Sequence, residues 1–230
     1  MRGAGPIVDG LGRRTGLVLV GFVFGLPVAW ADRADLEGTW LQLSAGRPTA
    51  TLTPVAERAV ADYVPLRDDP DLRCQPPSLT NVIGIPDPPW EIRLFDDRVE
   101  FDFEYMDVRR RAPLDPDLNV ADAPYTVEDH PHMGRSVARF EGDELIIDTS
   151  DVGRGYVDTR GPAEGFPQST GMRYEERYRA DGDRLYVEIM HTDPVYYVEP
   201  FSMSFEFLRV DLEVLEFDCQ IDAANYDDRL

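Results

Sequence analysis

From Trp90 onward the chain is a succession of short alternating runs joined by tight turns, and this pattern constrains its fold more than any other feature. Glu91–Phe95 and Val99–Tyr105 flank Asp96-Asp97-Arg98, and Val137–Glu141 and Glu144–Thr149 flank Gly142-Asp143. Arg173–Arg179 and Arg184–His191 flank Asp181-Gly182-Asp183, and Pro200–Val210 is expected to pair with Glu213–Cys219. Turns of Gly and Asp between alternating runs are hairpin signals. Eight or nine strands with no long helix between them predict an all-β, single antiparallel meander. Such a meander buries its edges by closing into a β-barrel or, alternatively, by folding into a β-sandwich.

Upstream, Gly38–Leu43 reads as a short strand. Thr53-Pro54 reads as an N-cap followed by proline at the first helical position, so one short N-terminal helix is expected. Val55, Ala59 and Tyr63 fall on one side of it, and Pro65 ends it. Leu66–Pro89, rich in Asp and Pro, reads as a long surface connection carrying Cys74. Two polar gaps, Arg110–His132 and Asp151–Thr170, interrupt the meander, and in a barrel they would sit as lids at one mouth.

Residues 1–31 read as a secretory signal peptide. Arg13 and Arg14 precede the apolar run Gly16–Trp30, and Ala29-Trp30-Ala31 fits a small-x-small cleavage site. The run is short and broken by Gly25 and Pro27, so no stable membrane insertion is expected after processing. The twin arginines fit either general or twin-arginine export. Residues 32–230 then form a single domain that is periplasmic or secreted, large enough for a sizeable core. The net charge is −21, every cation is an arginine, and removing Arg2, Arg13, Arg14 and Asp9 leaves about −23. A field of that sign repels nucleic-acid phosphates and anionic lipid head groups, so neither is an expected partner. Cys74 and Cys219, an even pair in an oxidising compartment, read as a disulfide. Closing a loop of that length stabilises by roughly 4–5 kcal/mol in the chain-entropy account.

Strand alternation sorts side chains by face. Leu185, Val187, Ile189 and His191 share an inward face. Arg173, Glu175, Arg177 and Arg179 face solvent, which turns Glu176 inward with Met172, Tyr174 and Tyr178. Phe201, Met203, Phe205 and Phe207 line another inward face, continued by Arg209. An inward carboxylate must be neutralised, by an arginine such as Arg209 or by a proton. Glu176 and His191 are therefore the candidate acid–base groups, with Arg110 or Tyr178 to steady negative charge. His130 and His132 are further ligand-contact candidates; with His191 they could form an open zinc site, yet Pro131 between them and their loop setting favour no metal. Glu100, Asp102 and Glu104 read as a solvated strand face, with Arg109-Arg110-Arg111 closing that arm. No nucleophile elbow, phosphate loop or dinucleotide fingerprint is present, and no cofactor is expected.

Two stretches carry a resemblance. Cys74-Gln75-Pro76-Pro77 and the hairpin Gly134-Arg135-Ser136-Val137-Ala138-Arg139-Phe140-Glu141-Gly142-Asp143-Glu144-Leu145-Ile146-Ile147-Asp148-Thr149 resemble a large group of uncharacterised secreted bacterial proteins. Glu176-Arg177, Asp193-Pro194 and Glu216-Phe217-Asp218-Cys219 are similar to later elements of that group. Arg135 stands where the group commonly has histidine. The resemblance implies an architecture and no established activity. Separately, Gly38-Thr39-Trp40 resembles the opening of lipocalin-type proteins, which implies a lipocalin-like β-barrel in which a late arginine, here Arg209, packs across Trp40.

Three function classes follow. The first is a barrel binding a small apolar or aromatic molecule, walled by Tyr174, Tyr178, Leu185, Ile189, Phe201, Met203 and Phe205, with Glu176 and His191 as polar anchors. The second is a cofactor-independent isomerase, lyase or hydratase on the same scaffold. The third is a structural envelope protein whose polar interior is only a buried network.

Overall fold

The computed structural model describes residues 33–157, 166–217, 219 and 220; the expected signal peptide lies outside the described residues. Nine strands form one antiparallel sheet. In chain order these are β1 (Gly38–Ala45), β2 (Trp90–Leu94), β3 (Arg98–Phe103), β4 (Val108–Pro113), β5 (Arg135–Glu141) and β6 (Glu144–Ser150). A small hairpin of β7 (Gly155–Tyr156) and β8 (Pro167–Gln168) stands apart, and β9 (Arg173–Asp181), β10 (Arg184–Thr192) and β11 (Phe201–Val210) complete the sheet. Neighbours follow the order β4-β3-β2-β1-β11-β10-β9-β6-β5, so the first and last strands pair and the meander curls on itself.

The two sheet edges, β4 and β5, then close the wall. Leu114 bridges Ala138, and the Asp115 amide donates to the Ala138 carbonyl (3.1 Å). Lower down, residues 124–127 wedge between the edges. The Arg111 amide donates to Thr126 O (2.7 Å), and the Thr126 amide donates to Gly134 O (2.8 Å). Edge groups left unpaired would template aggregation, and these bonds satisfy part of both edges within the chain. The result is a nearly closed β-barrel, the first of the two closures open to the alternating pattern, and not a sandwich.

Local chemistry explains the hairpins. Gly142 (φ 70°) and Gly182 (φ 62°) occupy the left-handed conformation that their two-residue turns demand. The inward residues follow the expected alternation: Leu185, Val187, Ile189 and His191 are buried on β10, and Phe201, Met203, Phe205 and Phe207 on β11. Trp40 is fully buried, its indole N–H donates to Leu36 O (3.1 Å), and the Arg209 guanidinium lies 4.3 Å above its ring. Arg209 also donates to the carbonyls of Glu37 and Asp35, which fastens the N-terminal turn to β11.

Three expectations are corrected. Residues 211–217 form no strand; β11 pairs instead with β1 and β10, because β1 already occupies that edge. The following segment is held by side chains: the Leu215 and Phe217 amides donate to Glu104 and Asp107, and the Phe217 ring packs on Tyr105. Second, Arg109-Arg110-Arg111 does not merely close an arm; it lies within β4, and Arg110 points inward.

Third, the expected surface connection between Leu66 and Pro89 contains two helices. After α1 (Pro54–Ala61), capped by Thr53, come the one-turn α2 (Pro65–Asp68) and α3 (Leu79–Gly84). Every residue of α3 is buried. Its sequence, Leu-Thr-Asn-Val-Ile-Gly behind the N-cap Ser78, lacks the Asp and Pro that surround it, and its apolar side chains join the barrel core. On α1 the buried residue is Ala56, while Val55 is exposed, so the packed face is rotated by one position from the sequence reading.

Candidate functional site

Two polar clusters lie inside the barrel. The first is built on Glu176, which alternation turns into the lumen from β9, and on Arg110 from β4. Both are fully buried. Arg110 donates from Nη1 to Glu176 Oε2 (2.7 Å) and from Nη2 to Oε1 (2.7 Å), a two-point pairing that suits the planar guanidinium. Nη2 also donates to Ser136 Oγ (3.1 Å) and Thr149 Oγ1 (3.2 Å), and Nε donates to Thr126 Oγ1 (3.4 Å). Tyr178 Oη donates to Glu176 Oε2 (2.6 Å), and Thr149 Oγ1 donates to Oε1 (3.4 Å). Burial opposes ionisation of Arg110, but Glu176's charge and hydrogen bonds outweigh it and raise the guanidinium above its ordinary value. Burial and then the Glu176 charge raise the Tyr178 phenol well above its own.

The partner of Glu176 is thus Arg110 and not Arg209, which is engaged with Trp40 at the far end of β11. Arg110 cannot be read as inward from Arg109-Arg110-Arg111 without knowing that this run is a strand. Ser136, Thr149 and Thr126 were not anticipated either. The signal for two of them was available: Ser136 and Thr149 are direct partners across the β5–β6 ladder, and Thr149 follows Leu145 and Ile147 on the inward face.

The second cluster centres on His191 at the end of β10. In the β9–β10 ladder it faces Tyr174, one diagonal step from Glu176, and no hydrogen bond joins it to that carboxylate. His191 Nε2 lies 2.8 Å from Thr80 Oγ1 on α3. Its ring stacks on Phe201 (centroids 4.6 Å apart, planes within 3°) and meets Tyr174 edge-on at 5.2 Å. Burial pulls the imidazole down to about 3, against smaller opposing contributions from the Phe201 and Ile189 backbone, so it is neutral near pH 7. Nδ1 has no partner in hydrogen-bond geometry, the ring's backbone contacts with Phe201 and Ile189 falling outside it. Neither has Tyr174 Oη, whose contact with Ser78 lacks hydrogen-bond geometry, nor Trp90 Nε1 further along the lumen. Burial raises the Tyr174 phenol well above its ordinary value, with the Glu176 charge adding to it.

The helix α3 reaches this cluster at its N-terminal end. Near its C-terminal end the Gln42 amide, oriented with nitrogen toward the helix, donates to the carbonyls of Gly84 (2.8 Å) and Ile85 (3.2 Å). Side-chain hydrogen bonds from β1 and β10 therefore hold α3 at both ends, and apolar packing does the rest.

Among the residues expected from the sequence, Glu176, Arg110 and Tyr178 meet in the first cluster, and His191, Tyr174 and Phe201 in the second. Met203 and Phe205 line the same lumen wall. His130 and His132 do not face the lumen. His132 Nε2 lies 2.8 Å from Pro76 O, pinning the Cys-Gln-Pro-Pro element to the loop before β5. His130 borders an open groove of about 780 Å³ outside β4, with Arg109, Arg111 and Tyr125. Burial, with a further contribution from His132, lowers the His130 imidazole. Glu100, expected to be solvated, is buried beneath Arg93, Arg98 and Arg111, which form an ion network on the outer wall. Cys74 and Cys219 form the disulfide. Among the described residues no group of three or more His, Cys, Asp or Glu side chains is placed to hold a metal ion. No helix among them is long and apolar enough to cross a membrane.

No protein-family model matches this chain, and no curated protein matches it. Among solved structures the chain is similar to a point mutant of the fluorescent protein UnaG, at 12% identity and TM-score 0.38, covering 77% of this chain and 98% of that one. A second UnaG point mutant, altered at the same position, gives 13% identity and TM-score 0.37, over 78% and 99%. Apo lipid binding protein 8 of Caenorhabditis elegans gives 11% and 0.37, over 76% and 96%. Similarity at this level transfers nothing to this chain, and the barrel stands on its own strand pairing.

Proposed function

We propose that this chain is an extracytoplasmic barrel that binds a small apolar or aromatic molecule in its lumen, beneath α3. One observation carries the reading: the lumen holds buried polar atoms, His191 Nδ1 and Tyr174 Oη foremost, that no protein group meets in hydrogen-bond geometry. Each such orphan costs about 1–3 kcal/mol, and native interiors retain few of them without a water or a ligand to bond. The two rings meet each other, and His191 stacks on Phe201, which in turn packs on Tyr197, so apolar surface for a ligand body lies beside them. Entry requires α3 to move, and the few side-chain hydrogen bonds at its ends, Thr80 with His191 and Gln42 with Gly84 and Ile85, are what must open. The Cys74–Cys219 disulfide supports residence in an oxidising compartment, in keeping with removal of residues 1–31.

The acid–base reading draws no support from this geometry. Both oxygens of Glu176 are bonded to Arg110, Tyr178 and Thr149, and the pair is fully buried, so neither group is free to take or give a proton. The first cluster acts as a structural network.

Native mass spectrometry of the exported protein is the direct test. The expected outcome is a mature chain beginning at Asp32 with a co-purified apolar molecule, and weaker retention of it in Tyr174→Phe and His191→Phe. A well-folded chain that is empty and takes up no apolar probe sinks the reading.

A further inference from the structure

Building on that reading, we infer that the lumen selects electrically neutral ligands, an apolar body carrying a hydroxyl group, and rejects organic anions such as carboxylates. The charge inventory of the lumen leads there. Among the described residues, the charged side chains buried inside the wall are Arg110 and Glu176, and they neutralise each other. Asp193, buried in the turn after β10 and held by Ser169 and the Val195 and Tyr196 amides, adds only negative charge near the mouth. Each nitrogen of the guanidinium already donates, Nη1 to Glu176, Nη2 to Glu176, Ser136 and Thr149, and Nε to Thr126. An entering anion therefore meets no free cation. It could recruit Arg110 only by displacing Glu176, which would leave that carboxylate buried and uncompensated, the costlier state.

The vacant groups ask for something else. His191 is bonded at Nε2 by Thr80. If Thr80 donates, His191 Nδ1 carries a proton and is a donor; if Nε2 donates to Thr80, Nδ1 is an acceptor. Tyr174 Oη, in ring contact with His191, can both donate and accept. A ligand hydroxyl does both as well, so it satisfies either tautomer of the histidine without bringing charge into the barrel. An anion offers only acceptance, and the burial that keeps His191 neutral also withholds a counter-charge from it.

The test uses the mature chain and three probes sharing one alkyl body: 1-decanol, decanamide and decanoate, with binding followed by indole fluorescence or calorimetry at neutral pH. The expected result is decanol binding at least about tenfold more tightly than decanoate, since decanoate must enter without a partner. Decanoate binding as tightly as decanol, or more so, overturns the inference while leaving the barrel a binder. Binding of none of the probes overturns the reading under Proposed function and this inference with it. Glu176→Gln frees Arg110, so it should narrow or invert the preference by gaining decanoate affinity; an unchanged or weaker decanoate affinity in a folded variant counts against the inference. Should that variant fail to fold, the double variant Arg110→Met with Glu176→Met keeps the question open to measurement. With neither member of the buried pair, it should still exclude decanoate, and loss of the discrimination there overturns the inference.

Discussion

A glutamate among tyrosines was readable from alternation; its neutralising partner was not. Glu176 sits on a strand whose period assigns it inward, and electrostatics then demands a counter-charge. Which arginine answers depends on which distant strand lies opposite, and β4 supplies Arg110 while Arg209 is drawn to Trp40. The pair makes a sharp prediction. Glu176→Gln leaves Arg110 buried without its counter-ion and should lower unfolding free energy by about 3–5 kcal/mol, whereas replacing both by methionine should recover most of that loss. Urea titrations of the single and double variants measure it; equal losses in both would show that the charge pairing is irrelevant. His191 gives a pH prediction. Its folded value is about 3, below the ordinary imidazole value near 6.5, so the proton binds more readily to the unfolded chain. Its contribution is fully present above roughly pH 6.5 and is lost as pH falls from there toward 3. Compared with His191→Phe, the natural chain should therefore lose more stability between pH 6.5 and 4, on the order of 2–3 kcal/mol, by chemical denaturation at each pH.

At the scale of elements, the hairpins declared themselves because a glycine in the left-handed conformation sits at each tight turn of the β5–β6 and β9–β10 pairs. Two elements did not. The strand β4 reads as Val-Arg-Arg-Arg-Ala-Pro, and its charge hides an alternation in which Val108, Arg110 and Ala112 are buried and Arg109 and Arg111 exposed. The helix α3 is too short for a helical period to show, and its neighbours Asp71, Pro76, Pro77 and Pro86 dominate the local composition. Its burial is a decision of the barrel mouth it fills. The loops around it fit closely: a Cβ on Gly155 would lie 1.9 Å from the Pro77 carbonyl oxygen, inside any allowed contact. Gly155→Ala should therefore push the Cys-Gln-Pro-Pro element off the small hairpin and cost about 1–3 kcal/mol. Thermal melting checks this, together with faster amide exchange in residues 76–85; an unperturbed melt and exchange pattern would show that the contact yields freely.

Across the whole molecule, closure is achieved twice, by the β1–β11 ladder and by the wedge of residues 124–127 between β4 and β5. The disulfide adds a covalent tie between the loop before α3 and the segment after β11, elements that are 145 residues apart in sequence. The chain-entropy estimate for so long a loop is roughly 4–5 kcal/mol of stabilisation, and most of it acts by restricting the unfolded chain. Cys74→Ser with Cys219→Ser should thus lower stability by about that amount while leaving the barrel's spectrum intact below the transition. Equilibrium unfolding with and without reductant measures the difference, and a variant as stable as the natural chain would locate the tie in an already ordered unfolded state.

The sequence by itself determined the antiparallel meander, most of its hairpins, the inward set on β9, β10 and β11 and the cysteine pair, while the barrel rather than a sandwich, and the Trp40–Arg209 stack, were implied by the resemblance of Gly38-Thr39-Trp40 to lipocalin openings. The first group follows from local periodicity, turn stereochemistry or simple counting, which act over a few residues. Only the tertiary structure decided that Arg110 answers Glu176, that Thr80 reaches His191, and that α3 is buried in the barrel while His130 and His132 stay outside. Those outcomes depend on which side chains the curvature of the wall brings together across long stretches of chain, 66 residues for the ion pair and 111 for the histidine contact. No window of local sequence encodes that distance.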